Sequence, residues 1–266
     1  MSGDARAAEE PPRSGTQSIE RLVATLRVVA SRGREGMRLG DVAAATGLPL
    51  STCYRMLQRM EIEGLVERHR ATRKYAIGPL LFELGLLARP RFSLAERCEP
   101  ALADLAEQTQ DTIYLSERRG LEAVCSARAL GDFPIKALTL DVGIRRPLGI
   151  GAGGLAILCA LPPAEAEELI DANGPRYAKL SHLDADRVRV AVREGRDRGY
   201  AFLDGPVFPG TAAVGVAFPA GAPVAALSVA AISSRLDEHR RREVAGLLHQ
   251  QAQRLSGVLR SSLAGA

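Results

Sequence analysis

The sequence predicts the α+β fold class, with a small helical domain at the N-terminus and a larger C-terminal domain that mixes helices with antiparallel strands. The first third of the chain carries apolar residues at helical spacing in three segments, followed by two short stretches of β-type residues. Further on, amphipathic helical segments alternate with runs of β-branched and small residues. A length of 266 residues, of which 46% are hydrophobic, is enough to bury a core in each domain.

Three helices are predicted first. Apolar residues at positions 19, 22, 23, 26, 29 and 30 indicate a helix with Ser18 as its N-cap and Gly33 after its end. Residues 39–46 indicate a short helix that ends at Gly47. After a turn at residues 47–49, a longer helix starts at Leu50 or Ser51 and closes before Gly64. A short helix, a tight turn and a longer helix together predict a helix-turn-helix.

The third helix has two different faces. One face is apolar and is expected in the core, through Leu50, Cys53, Met56, Leu57 and Met60. The opposite face presents Ser51, Thr52, Arg55 and Arg59. Serine and threonine near a helix N-terminus can bind phosphate oxygens, and an arginine one turn later can reach a guanine edge or another phosphate. The alternative for each charged residue is a solvated helix face.

A basic hairpin follows. Residues 65–68 and 74–77 can pair as two strands around a tip that carries Arg68, Arg70, Arg73 and Lys74. Three helices and such a hairpin, in this order, predict a winged helix-turn-helix whose wing tip lies on the sugar-phosphate backbone or in the minor groove. The charge balance agrees, because residues 1–90 hold 14 Lys and Arg against 10 Asp and Glu, whereas residues 91–266 hold 21 of each.

Several classes of protein are disfavoured. No apolar run is long enough for a membrane span, and the polar residues 1–15 lack the apolar stretch of a secretory signal, so we expect a disordered tail on a cytoplasmic protein. The four cysteines are far apart and are expected to be buried thiols, with no metal site. The glycine-rich residues 143–154 match no phosphate-binding loop, so no cofactor is expected. These glycines indicate either close backbone approach to a ligand or a tight entry into a helix.

The remaining elements can be placed in order. Residues 79–87, which begin with Pro79, predict a strongly apolar short helix that either packs on a second subunit or belongs to the core of its own chain. Helices are predicted at 94–109, 163–173, 183–199 and 236–263, the last with Arg240, Arg241 and Arg242 on its outer face. Strands are predicted at 112–118, 122–129, 211–218 and 224–231, with a hairpin signal at 219–223.

Taken together, several motifs resemble the isocitrate lyase regulator (IclR) family of bacterial transcription factors, over residues 16–260. They are QSIER at 17–21, GLPLSTCYRML at 47–57, RKYAIG at 73–78, residues 80–85, 99–102 and 108–109, VGIRRPL at 142–148, GYA at 199–201 and AALSV at 225–229. The resemblance implies a disordered tail (1–15), a winged helix-turn-helix DNA-binding domain (16–78), a linker helix (79–92) and a GAF-like α/β domain for effector binding and oligomerisation (93–266). It also implies dimers or dimers of dimers on palindromic operators in double-stranded DNA.

The resemblance also implies an effector pocket, lined by Ile135, Leu138, Arg146, Ala152, Gly153, Leu203, Thr211, Ala213 and Ser228. Many members have His, a small hydroxyl residue and Lys where this chain reads PLGIGAGGLA at 147–156, and an acidic-polar stretch where it reads FLDGPVF at 202–208. We therefore expect a more apolar pocket, whose effector is an aromatic or apolar organic acid of a catabolic pathway. Arg128, Arg145 or Arg146 would meet its carboxylate, or would form a structural ion pair instead.

The expected function is thus a DNA-binding transcriptional regulator controlled by a small metabolite. Two alternatives remain: a constitutive DNA-binding protein whose C-terminal domain serves only oligomerisation or protein contact, and an enzyme fused to a DNA-binding module. An enzyme is disfavoured because His69, His182, His239 and His249 accompany no GxSxG, HExxH or acidic cluster.

Overall fold

The computed structural model describes residues 16–87, 94–180, 183–205 and 209–263. The chain divides into two compact units, Met1–Arg89 and Pro90–Ala266. The predicted tail at 1–15, the end of the predicted linker helix at 88–92 and His182 lie outside the described residues. The α+β fold class is confirmed.

The described residues of the N-terminal unit form a helix-turn-helix followed by a hairpin and a further helix. In chain order these are α1 (Gln17–Ala30), α2 (Leu39–Thr46), α3 (Leu50–Ile62), β1 (Val66–Arg68), β2 (Tyr75–Ile77) and α4 (Pro79–Leu87). Gly47 ends α2 in the left-handed region at φ 69°, where a glycine avoids the steric cost that a Cβ would bring. The strands are antiparallel, with Val66 opposite Ile77.

A small core holds this unit together. It includes Val29 of α1, Val42 of α2, Cys53 and Leu57 of α3 and Tyr75 of β2, all fully buried. Two expectations were wrong in detail. Ser18 is not the N-cap, because α1 begins two residues earlier than expected, at Gln17, with Thr16 at the cap position. Leu50 is 57% exposed, because it lies at the first position of α3, before the helix reaches the core.

The helix α4 has no buried residue, although it is almost entirely apolar. Phe82 is 70% exposed and Leu87 is 84% exposed, and Leu84 and Leu86 are exposed as well. The alternative that this helix belongs to the core of its own chain is therefore wrong. Its packing on a second subunit stays a prediction.

The C-terminal unit consists of a sheet between two layers of helices. Its described elements are α5 (Leu94–Thr109), β3 (Thr112–Arg119), β4 (Glu122–Leu130), β5 (Arg145–Pro147), α6 (Ala152–Ala160), α7 (Pro163–Leu180), α8 (Ala185–Arg198), β6 (Ala201–Asp204), β7 (Thr211–Phe218), β8 (Ala225–Ile232) and α9 (Glu238–Leu263). The strand order is β5-β4-β3-β8-β7-β6, and every neighbouring pair is antiparallel. The predicted hairpin at 219–223 is confirmed, since Phe218 lies opposite Ala225.

Alternation along β3 separates the two faces of the sheet. Ile113 and Leu115 pack in a core with α5 and α9, whereas Tyr114 and Ser116 point to the opposite face. On that opposite side, α6, α7 and α8 form a second core around Leu155. The second face therefore presents polar side chains next to the first turn of α6.

The structure corrects two further expectations and adds elements that the sequence did not predict. Helix α7 runs past residue 173 because Asn173 and Tyr177 are anchored on backbone oxygens of Leu121 (2.9 Å) and Leu148 (2.7 Å). Two of the three arginines expected on the outer face of α9 instead contact other parts of the unit. Arg240 binds the Thr109 carbonyl oxygen at 3.0 Å, and Arg241 stacks on Phe202. The short strands β5 and β6 were not predicted.

The four cysteines are free thiols, three buried and Cys159 half-buried. In the described part of the chain, no helix has an apolar stretch long enough to cross a membrane. The same residues contain no cluster of three or more His, Cys, Asp or Glu placed to hold a metal ion.

Candidate functional site

The outer surface of α3 is the first candidate site. Cys53, Leu57 and Met60 turn one face of this helix into the core. Ser51 and Arg55 lie on the opposite face and are exposed, as the sequence predicts. A helix with an uncapped N-terminus and an exposed serine and arginine can bind phosphate oxygens and base edges in a major groove.

Of the other two residues predicted on this helix, Thr52 is half-buried and Arg59 is exposed. Both line a groove between α3 and α1, together with Arg55 and Leu22. Arg59 forms an ion pair with Glu63 one turn later. Both side chains are exposed, so the pair contributes at most about 1 kcal/mol and leaves Arg59 able to change partners.

A hydrogen-bonded pair on the same surface was missed by sequence reasoning. Gln58 Nε2 donates to Tyr54 Oη at 2.8 Å, and both residues are exposed. The signal was present in the sequence, since the two residues are four positions apart on one helix.

The wing is a tight turn between β1 and β2. His69 and Lys74 are joined by a backbone hydrogen bond of 2.9 Å, and the Thr72 amide donates to His69 Nδ1 at 3.2 Å. Arg73 adopts the left-handed conformation at φ 59°. Arg70 and Arg73 are exposed and Lys74 is half-buried. This geometry presents cationic groups from a short loop, as phosphate contact requires.

Arg68, the fourth basic residue of the predicted tip, also has a structural contact. Its guanidinium carbon lies 5.2 Å from the centre of the Tyr75 ring, and Arg68 is half-buried. Burial raises the pKa of the Tyr75 hydroxyl, and the nearby Arg68 charge opposes that shift. Arg68 therefore stabilises the hairpin in addition to contributing charge.

The second candidate site is a cavity of about 70 Å³ between the sheet and the first turn of α6. Seven of the nine predicted pocket residues lie on its wall: Arg146, Ala152, Gly153, Leu203, Thr211, Ala213 and Ser228. The structure places Ile135 and Leu138 elsewhere, 57% and 55% exposed on the segment between β4 and β5. Tyr114, Ser116, Thr139, Leu140 and Ile150, which the sequence did not indicate, also line the cavity.

The polar groups of the cavity gather at the N-terminus of α6. Gly151 precedes the helix at φ 83°, and no side chain caps its free amides. Ser116 and Ser228 are only 5% and 6% exposed, and within the described residues neither hydroxyl has a hydrogen bond. A Cβ at position 153 would lie 2.6 Å from Ser116 Oγ, so glycine at this position keeps the space open. Free amides, a helix dipole and unpaired hydroxyls suit an anion.

Arg146 supplies the charge at this site. Its guanidinium donates to the Thr139 carbonyl oxygen, and burial lowers its pKa because removal from water disfavours the charged form. Of the other two arginines considered, Arg128 pairs with Asp141 at 2.9 Å and Arg145 with Glu122 at 3.0 Å. Of the two alternatives that the sequence allowed, contact with the effector or a structural ion pair, the structure shows the ion pair for Arg128 and for Arg145.

Tyr114 ties the segment over the cavity to the sheet. Its hydroxyl donates to the Ala137 carbonyl oxygen at 2.9 Å and accepts from the Thr139 amide at 3.1 Å. Burial raises the pKa of this hydroxyl, and its hydrogen bonds with the segment oppose the shift. Together with Arg146 and Arg128, which bind the backbone at Thr139 and Leu140, Tyr114 fixes residues 137–140 against the cavity.

The histidines lie away from this cavity in the described structure. His69 is in the wing, and His239 and His249 are on α9. His239 lies 3.7 Å from Glu243, and His249 contacts the Gly199 carbonyl oxygen at 3.0 Å. Neither of these two contacts joins a histidine to a nucleophilic side chain.

Two family models match the chain. The IclR helix-turn-helix domain matches residues 18–70, and the model described as bacterial transcriptional regulator IclR C-terminal matches residues 88–257. The chain is 28% identical over 187 residues to the glycerol operon regulatory protein of Streptomyces coelicolor, covering 70% of this chain and 72% of that protein.

Two solved structures show the same fold. An IclR transcriptional regulator from Alicyclobacillus acidocaldarius superimposes with a TM-score of 0.71 at 23% identity, covering 92% of this chain and 99% of the other. An IclR homologue from Microbacterium hydrocarbonoxydans, complexed with 4-hydroxybenzoate, gives a TM-score of 0.67 at 21% identity, with 92% and 99% coverage.

Proposed function

The chain belongs to the IclR family of bacterial transcriptional regulators, and we propose that an organic acid bound in the C-terminal cavity controls its binding to a specific operator. The chain is a transcriptional regulator with a helix-turn-helix DNA-binding domain and a C-terminal IclR effector domain. The observation that carries the proposal is the group of anion-binding atoms at the first turn of α6, in a cavity with a mainly apolar wall.

The proposed effector has a carboxylate and an apolar body. The carboxylate binds the free amides of α6, the hydroxyls of Ser116 and Ser228, and Arg146. Ile150, Leu203 and Ala213 contact the apolar body. The 4-hydroxybenzoate bound by the homologue from Microbacterium hydrocarbonoxydans is an acid of this chemical class.

The size of the cavity sets a condition on binding. Its volume of about 70 Å³ is roughly half of the 150 Å³ that admits benzene in an engineered apolar cavity. By volume, the cavity as it stands therefore favours a compact aliphatic acid over an aromatic acid.

Calorimetric titration of the full chain tests the effector class. We expect benzoate, 4-hydroxybenzoate and isobutyrate to bind more tightly than glyoxylate and glycolate, because the wall is mainly apolar. Benzamide, which has the ring without the charge, is the control and is expected to bind more weakly than benzoate. Tighter binding by glyoxylate than by every apolar acid would contradict the proposal. Turnover of a bound acid would favour an enzyme, and the absence of all binding would favour a constitutive regulator.

We further propose the DNA contacts and domain limits that the sequence predicts. Ser51, Thr52, Arg55 and Arg59 contact bases and nearby phosphates, whereas Arg68, Arg70, Arg73 and Lys74 contact the backbone. The winged helix-turn-helix spans 16–78, the linker helix 79–92 and the effector domain 93–266. Two copies associate through the exposed apolar helix α4, as dimers or dimers of dimers on a palindromic operator. Effector binding then changes how two winged helices fit two half-sites.

A further inference from the structure

We propose that Gln58, positioned by Tyr54, reads an adenine in the operator. The two side chains lie one turn apart on α3, and Gln58 Nε2 donates to Tyr54 Oη at 2.8 Å. Both are exposed, so a DNA major groove can reach them. The proposal rests on the DNA-binding function and adds a specificity-determining residue to it.

The position of Gln58 on the helix supports this role. Gln58 lies three residues after Arg55 and seven after Ser51, so the three share the face opposite Cys53 and Leu57. Arg59 lines the groove beside α1, as Arg55 does, and is paired with Glu63. Gln58 lies outside that groove, on the outward face with Ser51.

The hydrogen bond to Tyr54 leaves Gln58 with the groups that adenine needs. A glutamine amide has two N–H donors and one carbonyl acceptor, and Tyr54 takes one donor. The remaining N–H and the carbonyl match N7 and the N6 amino group of adenine in the major groove. The Tyr54 hydroxyl still carries its own proton, which can go to a phosphate oxygen.

Tyr54 limits the rotamers of Gln58 before DNA binds. A free glutamine side chain loses rotamer freedom when it is fixed, and a prior hydrogen bond reduces that loss. Because neither residue is charged, the pair adds sequence discrimination without adding to the salt dependence of binding.

Selection from a randomised double-stranded DNA library tests the inference with the full chain. Wild-type protein is expected to enrich an adenine at one position of each half-site. In Gln58→Ala that preference falls by about 5- to 150-fold, the range for one bidentate base contact. Tyr54→Phe, which keeps the ring and loses the hydroxyl, weakens the preference at the same position alone. Gln108→Ala, an exposed glutamine on α5, is the matched control and leaves the selected sequence unchanged.

Gln58→Glu separates base reading from a folding defect. Glutamate accepts from the N4 amino group of cytosine, so the selected base at this position is expected to change from adenine to cytosine. The inference is overturned if Gln58→Ala selects the wild-type sequence at every position, or if Gln58→Glu selects the wild-type adenine. A wild-type protein that enriches no sequence would instead contradict the proposed function.

Discussion

Arg146 is a half-buried cation whose surroundings favour an anion beside it. Its guanidinium lies in the cavity wall with Ser116 and Ser228, close to the free amides of α6. Burial lowers its pKa, but an arginine keeps its charge at any pH that a folded protein tolerates. A carboxylate at this point would gain charge-assisted hydrogen bonds that a neutral ligand cannot form.

Replacement of Arg146 is expected to weaken acid binding selectively. Arg146→Ala removes charge-assisted hydrogen bonds worth about 1.5–3 kcal/mol, so the Kd for benzoate should rise by roughly 10- to 100-fold in calorimetric titration. The Kd for benzamide should change little. Arg145→Ala, next in sequence but paired with Glu122, is the matched control and should bind benzoate like the wild type. Equal losses in both variants would contradict a direct role for Arg146.

The cysteines are expected to be unreactive in the folded protein. Burial raises the pKa of Cys98 to about 12 and those of Cys125 and Cys159 to about 11, because the thiolate is disfavoured away from water. Only the thiolate attacks an alkylating reagent, and raised pKa values keep these groups protonated at pH 8. Mass spectrometry should therefore show slow iodoacetamide labelling until denaturant is added. Fast labelling of native Cys159, the half-buried thiol, would contradict the expected protection by burial.

At the level of elements, long periodic segments were predictable and short or context-dependent ones were not. The helices α2, α3 and α5 and the hairpin of β7 and β8 follow from local spacing and turn signals. Strands β5 and β6, of three and four residues, carry too few positions for a pattern and depend on pairing with β4 and β7. In the cavity, Tyr114 and Ser116 were missed because alternation along β3 shows which residues share a face but not which face holds a ligand.

The loop before α6 is a packed element rather than a loose connection. Gly149 has φ 97°, and a Cβ there would lie 2.8 Å from Val188 Cγ1 and 3.1 Å from Tyr177 Oη. Side chains from α7 and α8 thus occupy the space beside Gly149. The loop also connects the cavity wall with the second core, because Ile150 belongs to both.

Gly149→Ala should therefore lower the free energy of unfolding by more than the strain of the positive φ alone accounts for. Gly143 is the matched control, since it has φ 89° and no atom within 4 Å of its Cβ position. Gly143→Ala reports the cost of the positive φ, whereas Gly149→Ala adds overpacking of about 1–3 kcal/mol. Urea denaturation of both variants measures the difference in the free energy of unfolding. Equal values would mean that Val188 and Tyr177 move aside without cost.

Helix α4 is expected to mediate self-association. Phe82→Ser and Leu87→Ser remove large apolar side chains from an exposed surface, and each buried side chain of this kind is worth about 1.5–3 kcal/mol. The dimer dissociation constant, measured by analytical ultracentrifugation, should rise at least tenfold for each variant. Glu83→Gln, an exposed change on the same helix, should leave it unchanged. If the two serine variants associate as the wild type does, the dimer contact lies outside α4.

At the scale of the whole molecule, charge is divided unequally between the two parts of the chain. Residues 1–90 hold the entire net charge of +4, and residues 91–266 have no net charge. In the described structure, several arginines of the C-terminal unit form internal ion pairs, such as Arg118 with Glu165 and Arg189 with Glu167. The N-terminal unit therefore supplies the long-range attraction to DNA.

We therefore expect residues of the wing to contribute to the salt dependence of DNA binding. Removal of one phosphate contact lowers the slope of log K against log salt concentration by about 0.9, so Arg70→Ala with Arg73→Ala should lower it by about 2. Fluorescence anisotropy at several salt concentrations measures this slope. The base preference should persist, because these residues contact the backbone. Arg242→Ala, which breaks an exposed pair with Glu238 on α9, should leave the slope unchanged.

The hydrogen bond from Arg146 to the Thr139 carbonyl oxygen has a consequence for dose response. In the structure, this backbone oxygen already uses part of the donor capacity that the proposed effector would use. The contribution of Arg146 to the free energy of effector binding is then the difference between its hydrogen bond to the effector and its hydrogen bond to the Thr139 carbonyl oxygen. Such an exchange would raise the concentration of the proposed effector at which the regulator responds.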